Sequence, residues 1–349
     1  MAALCDLVSA GLIEKDTNND VLWTWSYPMV TEAQRALFTR KCCLSQSSEH
    51  IVDFLYSQLG RQWYYIYTHK VEDRDNLPKV TAFSVILLSK DFNPEKYEAL
   101  CQILCQRYCK TGSPTSILEV YLAVVTKGKC NSEENGKFST QDYQIKHAYA
   151  NSNLAGVIEM FGVETILIYT ALLLKKRIAV YFPPHSIKDL LQFTRSLPAF
   201  IWHRQNWNIV HPYVELIEEE IDQLKTNTHY VAGFTDATIE SRSDLYDVFV
   251  NGTAGQISVA PHAKDALAMG KLHKDIAMFM VKLIEDTDIN QQQVIKDVAT
   301  KTKELLNNLK SLAGEDGTIA LESLKERKMP PATENFLFNL AACEGLVQM

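Results

Sequence analysis

A chain of 349 residues, 46% hydrophobic and 22% charged, has an ordinary globular composition and exceeds one typical core, so two or three packed modules are expected. A net charge of −7 argues against a protein that tracks nucleic-acid phosphates with a basic face. The opening MAALCDLVSAGLIEKD lacks the basic start and long apolar core of a secretory signal, and residues 166–174, the longest apolar run, are too short to span a bilayer and read as a buried helix. Cys5, Cys42, Cys43, Cys101, Cys105, Cys109, Cys130 and Cys343 are scattered, which fits reduced thiols better than a disulfide framework.

Between Trp23 and Leu88 the segments LWTWSYP, Trp63 to Tyr67 and VTAFSVILL are rich in β-branched and aromatic residues and read as strands joined by loops. A helix follows. Asn93 can cap it, Pro94 suits its first position, Phe92 can staple onto Tyr97, and Tyr97, Leu100, Cys101, Leu104, Cys105 and Tyr108 recur at helical spacing. Gly112 and Pro114 end it before a second helix, SILEVYLAVV. Residues 126–139, TKGKCNSEENGKFS, are polar and aperiodic, which predicts a linker or long loop.

From Asn153 the pattern becomes α/β. It predicts a helix to about Leu174, a strand RIAVYF, a helix IKDLLQFTRSL capped by Ser186, and short strands near HPYVEL, HYVAGF, DLYDVFV and QISV. The last two are joined through Asn251-Gly252 by a bulged turn. Beyond Lys264 the apolar residues fall at helical spacing (Leu272, Ile276, Phe279, Met280, Leu283, then Val294 to Leu312), and a last helix, ENFLFNLAACEGL, follows Pro330-Pro331.

The sequence contains no Gly-x4-Gly-Lys-Ser/Thr loop, no Gly-x-Gly-x-x-Gly, no Gly-x-Ser-x-Gly elbow and no His-Glu-x-x-His, so the common nucleotide-cradle and hydrolase signatures are missing. Cys101, Cys105 and Cys109 could begin a metal site, but two of them lie among the apolar positions of the first helix and read as core. IWHRQNWNIVHPYVE, with His203, Arg204, Trp207 and His211, reads as a packed turn with satisfied polar tips, the alternative being a site that combines stacking with proton transfer. The acidic run Glu215, Glu218, Glu219, Glu220 and Asp222 suits a helix start, and Lys175, Lys176 and Arg177 a helix end. Arg61 in LGRQWYY is a turn residue or an arginine finger.

In their order, several strings resemble the DENN-domain family of Rab GTPase regulators. FLYSQLGRQWYYIY followed by VTAFSVILLSKDFNPEKYEALCQIL is similar to the family's longin-like upstream part, with Ser89-Lys90 at the strand-to-helix step. GVETILIYTALLLKKRIAVYF, SLPAFIW, HPYVEL, HYVAGF and DLYDVFVNG resemble its core run. The resemblance spans nearly the whole chain and suggests a short, DENN-only member. It implies a bilobed α/β architecture: a longin-like sheet-and-helix module over 1–140, a core α/β module over 141–263 and a helical module over 264–349.

It also implies a Rab-type GTPase as partner and guanine-nucleotide exchange as activity, in which the protein holds the switch regions and disfavours bound nucleotide and magnesium. Such catalysis is differential binding and needs no nucleophile, cofactor or metal. The alternative is a non-catalytic DENN-fold subunit of a larger endosomal trafficking or recycling complex; a Rab-inactivating partner using Arg61 is a third reading. Arg61, Arg204 and Trp207 are the candidate GTPase-binding residues. The expected location is cytoplasmic, with peripheral recruitment to endosomes, late endosomes among them, and no nucleic-acid partner.

Overall fold

The computed structural model describes residues 6–44, 52–72, 75–132, 136–285, 290–314 and 317–347, and the chain divides into two units, Met1–Ala148 and Tyr149–Met349. In the N-terminal unit, β1 (Leu7–Asp16), β2 (Val21–Tyr27), β3 (Phe54–Leu59), β4 (Gln62–Lys70) and β5 (Val80–Ser89) form an antiparallel sheet in the order β2-β1-β5-β4-β3. The helices are α1 (Glu32–Lys41), α2 (Pro94–Thr111) and α3 (Pro114–Lys127).

Successive side chains on a strand point to opposite faces. In β4, Tyr64 accordingly meets Phe38 of α1 with ring centroids 5.5 Å apart, whereas Tyr65 stacks on Tyr97 of α2 at 4.4 Å. Helices therefore cover both faces, and β5, between β1 and β4, is buried along nearly its whole length, as its apolar run predicts.

Three parts of this unit differ from the sequence expectation. The sheet begins before Trp23, with β1 as an interior strand. Helix α1 occupies a stretch expected to hold strands and loops; its start is a capping box in which Gln34 N–H donates to Thr31 Oγ1 at 3.2 Å and Gln34 Oε1 accepts from Thr31 N–H at 2.9 Å. The expected loop at 126–139 is instead the end of α3 followed by a hairpin of β6 (Lys129–Ser132) and β7 (Gly136–Ser139), with residues 133–135 outside the described set.

The β5-to-α2 step follows its sequence signals. Asn93 Oδ1 accepts from Lys96 N–H at 3.2 Å, Pro94 opens the helix, and Gly112 closes it at φ 61°, where the carbonyl of Asn76 occupies the place a side chain would need. Phe92, expected to staple onto Tyr97, has its ring against Trp63 and Tyr56 of the sheet. Cys101 and Cys105 are core residues, and burial pushes both thiols well above their ordinary range. At the junction Lys96 Nζ donates to Asp91 Oδ2 at 2.9 Å, with side chains only 7% and 9% exposed. The Tyr97 hydroxyl donates to Asp91 Oδ1, and Ser89 Oγ lies 2.5 Å from the same oxygen.

Helix α4 (Ile145–Ala150) runs across the unit boundary. The C-terminal unit continues with α5 (Leu154–Phe161), α6 (Thr165–Leu173), β8 (Ile178–Tyr181), α7 (Ile187–Ser196), β9 (Val210–His211), α8 (Glu218–Lys225), β10 (Val231–Phe234), β11 (Val248–Asn251) and β12 (Gln256–Val259). Its sheet has the order β12-β11-β8-β10-β9, parallel except for the antiparallel edge strand β12. The hairpin through Asn251-Gly252 forms with the longer connection expected. Ser186 lies where the sequence places a cap, but it follows a 3-10 turn and makes no side-chain capping bond.

Gly233 in β10 is required because the carbonyl of Pro212 sits where a Cβ would go, and that approach lets Val214 N–H donate to Gly233 O at 2.8 Å. Helices α9 (Lys271–Leu283), α10 (Gln291–Lys310), α11 (Leu321–Glu326) and α12 (Pro331–Cys343) complete the unit. Tyr169 of α6 and Thr302 of α10 share a hydroxyl hydrogen bond of 2.9 Å. Residues Ile145–Leu173 are together long and apolar enough to cross a bilayer, but here they are broken into α4, α5, a 3-10 turn and α6, and α6 is almost wholly buried.

Candidate partner-binding surfaces

After α7 the chain winds through 3-10 turns, Leu197–Arg204, and reverses at Gln205 with φ 46°. The reversal returns Trp207 to the interior. Its ring stacks on Tyr149 with centroids 4.0 Å apart and planes 6° from parallel, meets Trp202 edge-on at 5.7 Å, and donates its indole N–H to Arg195 O at 2.9 Å. At 1% exposure it has no surface for a GTPase, so its expected contact role is corrected to packing.

Arg204 also serves the fold. Its Nη1 and Nη2 donate to the carbonyls of Leu172 and Leu173 at 2.8 and 2.7 Å, and its Nε donates to Glu344 Oε1 at 3.2 Å. Lys175 Nζ donates to Cys343 O at 2.7 Å. Two cations thereby satisfy carbonyls at the C-terminal ends of α6 and α12, and the Arg204 side chain remains only 14% exposed. The packed-turn reading of this string describes it well, except that His211 Nε2 is buried without a hydrogen bond and burial lowers its pKa to about 4.

A hydrogen bond from His203, opposed by burial and reinforced by Arg204, holds the Glu344 carboxyl at about 2. A carboxyl depressed in the folded state contributes stability that is complete above its ordinary value of 4.5 and lost as pH falls toward 2. The protection of the α12 amides, taken relative to intrinsic exchange at each pH, is therefore expected to fall across that window, by a loss on the order of 2 kcal/mol after allowance for water at its exposed edge. Glu344→Gln should make the exchange fast already at neutral pH and flatten its acid dependence; an unchanged profile would show that α12 is held by its apolar face alone.

Arg177 pins strand β8 to β11. Its backbone N–H donates to Asp247 Oδ2 at 2.8 Å, its guanidinium reaches both carboxylate oxygens at 3.3 and 3.1 Å, and His262 Nε2 lies 2.9 Å from Asp247 Oδ1. Burial would raise the Asp247 carboxyl, but the Arg177 bonds outweigh it and the net shift is downward. Nothing in local spacing marks this trio, whose members lie 70 and 85 residues from Arg177. Helix α8 opens on Glu218, Glu219 and Glu220, the helix start expected of the acidic run, with Glu220 Oε2 accepting from Glu215 N–H at 3.0 Å.

Free surface lies elsewhere. Arg61 is exposed at the β3–β4 turn, beside Gly60 at φ 62°, and belongs to the other unit from Arg204 and Trp207. At the far edge of that sheet the β1–β2 register skips Thr24: Leu12 pairs with Trp25 and Ile13 with Trp23. The extra residue turns Trp23 onto Phe38 of α1 while Tyr27 meets Tyr121 of α3. Leu22, Tyr27, Met29 and Leu122 remain exposed, Met29 by 82%. An edge strand with apolar side chains can add a partner's strand and bury its surface. Among the described residues of the C-terminal unit, the exposed large apolar side chains are Met160, Val163 and Met278.

Residues 151–261, which include the sheet of the C-terminal unit, match the family model described as SPA, stabilization of polarity axis. Over almost its full length the chain is similar to DENN domain-containing protein 10 from several organisms. It is 50% identical to the Danio rerio protein over 98% of each chain and 48% identical to the Homo sapiens protein over 98% of this chain and 97% of the relative. The Dictyostelium discoideum protein is 38% identical over 97% of both.

Proposed function

Because this chain belongs to the DENN-domain family, whose members in general regulate Rab GTPases, we propose that it binds a Rab-type GTPase and promotes release of its GDP at endosomal membranes to which it is recruited from the cytoplasm. The observation that carries this reading is the extent of the similarity, 38 to 50% over at least 97% of the chain, so that both units are those of the relatives. Exchange requires a surface that prefers the nucleotide-free GTPase, and every part of it is supplied by binding energy. Of the candidate contacts, Arg61 alone presents an exposed side chain, and it is proposed here as part of that surface.

Release of labelled GDP from a panel of purified Rab proteins tests the proposal. The expected result is acceleration of at least about tenfold, a lowering of the barrier by roughly 1.4 kcal/mol, for one or two of them. Arg61→Ala is expected to reduce that acceleration without moving the unfolding midpoint. Failure to accelerate any Rab, with the chain recovered from cells in a stable large assembly, would replace exchange with the role of a non-catalytic subunit in an endosomal trafficking complex.

A further inference from the structure

In the N-terminal unit, α2, α3 and the β6–β7 hairpin border an open cleft of about 520 Å³ lined by Arg107, Glu119, Lys127, Lys129, Asn131 and Lys137, together with small side chains of α3. That volume is the size of a small-molecule site. Among the described residues, four cations face one carboxylate across it, in a chain whose net charge is −7. Lys127 stands in the last turn of α3, where a cation suits the helix end. The other three need a different account.

Asn131 is the cross-strand partner of Lys137, and Lys129 lies two residues before Asn131, so all three share one face of the hairpin; Phe138 is buried from the other, and its cross-strand partner Cys130, also buried, borders the cleft. Arg107 Nη2 donates to Asn131 O at 3.3 Å, which anchors the guanidinium at the cleft and leaves its remaining N–H groups to donate elsewhere. Among the described residues, Lys127, Lys129 and Lys137 form no ion pair. Like charges gathered in one concavity focus a positive field, and a planar guanidinium beside mobile ammonium groups is the combination that holds phosphate oxygens.

We propose that this cleft binds a small, multiply phosphorylated anion, either the headgroup of a phosphoinositide lipid or a soluble inositol polyphosphate. Dimensions and charge favour this over an acidic peptide, because the cations gather around one open cleft of small-molecule size. The site is independent of the GTPase reading and stands or falls on different data.

The full chain is titrated calorimetrically with inositol hexakisphosphate, and in parallel floated with phosphatidylcholine vesicles with and without phosphatidylinositol phosphate. Lys129→Glu combined with Lys137→Glu, both exposed positions, is expected to weaken binding by roughly a hundredfold, the loss of two charge-assisted contacts. Lys274→Glu combined with Lys328→Glu changes net charge equally from the other unit and is expected to leave binding within about threefold of the unaltered chain. Flotation with the phosphoinositide vesicles, competed by the soluble anion, identifies the lipid source; binding of the soluble anion without flotation identifies the free one. Absence of binding in both arms, equal weakening by both variant pairs, or tighter binding of a polyglutamate peptide than of the polyphosphate overturns the proposal.

Discussion

Trp207→Ala is expected to destabilise the C-terminal unit by about 3–5 kcal/mol and to reduce partner binding only because less of that unit stays folded. The substitution removes a ring that is 1% exposed, abandons the stack on Tyr149 and leaves the Arg195 carbonyl without its indole donor. Ser152 Oγ also donates to that carbonyl, at 3.5 Å, so loss of the indole donor adds only the cost of one hydrogen bond, about 0.5–1.5 kcal/mol, which Trp207→Phe isolates by keeping an aromatic ring in place. Hydrogen exchange of the β8 and β10 amides under increasing urea is the suitable measurement, because two units in one chain need not unfold in a single transition. Wild-type protection in the alanine variant, with GTPase binding lost, would return Trp207 to the surface role that its sequence context first implied.

The second large effect lies at the β5–α2 junction. Asp91→Leu removes the carboxylate that receives Lys96 and Tyr97 and leaves an ammonium group with a side chain only 7% exposed, a loss of about 3–5 kcal/mol. Asp91→Leu combined with Lys96→Met is expected to recover most of that loss, because the cost comes from the orphaned charge more than from the missing attraction. Burial and the neighbouring Asp91 charge both push the Tyr97 phenol well up, so it remains a donor throughout the neutral range. Urea midpoints for the two single substitutions and the double one form the cycle that measures the coupling. If the double variant were no more stable than Asp91→Leu alone, packing of the ring of Tyr97 against Tyr65, and not charge, would govern the junction.

That junction was among the most legible parts of the sequence, for a local reason. Strand, cap, first-turn proline and terminal glycine lie within a few residues of one another, and the signals for each agree. The same holds for the hairpin after β11 and for the buried cysteines of α2. Strand β1 was missed because LVSAGLIEKD is buried on both faces over most of its length and so shows no alternation. Helix α1 was legible in principle from Thr31-x-x-Gln34, but the aromatic density on both sides of it outweighed that one signal.

The β6–β7 hairpin hid in a polar segment because it offers a single short apolar pair, Cys130 opposite Phe138, to the core. The surfaces were the least readable. Arg204 and Trp207 carry side-chain types that favour interfaces, and what removes them from solvent is distant in sequence: Glu344 for one, Tyr149 for the other. Chemistry visible in a string specifies what a side chain can do, whereas burial depends on pairings formed far along the chain.

Strand order also bears on how the protein is made. β1 takes its second partner from β5, some sixty residues further on, so at ribosomal speeds of roughly 5–20 residues per second the β1–β2 ribbon waits several seconds with one long side unpaired. Through that interval β1 has no β5 beside it, and the ribbon is a natural client for a chaperone that holds nascent chains. Slowing elongation between Asp16 and Val80 would lengthen the exposure without altering a single contact of the finished sheet.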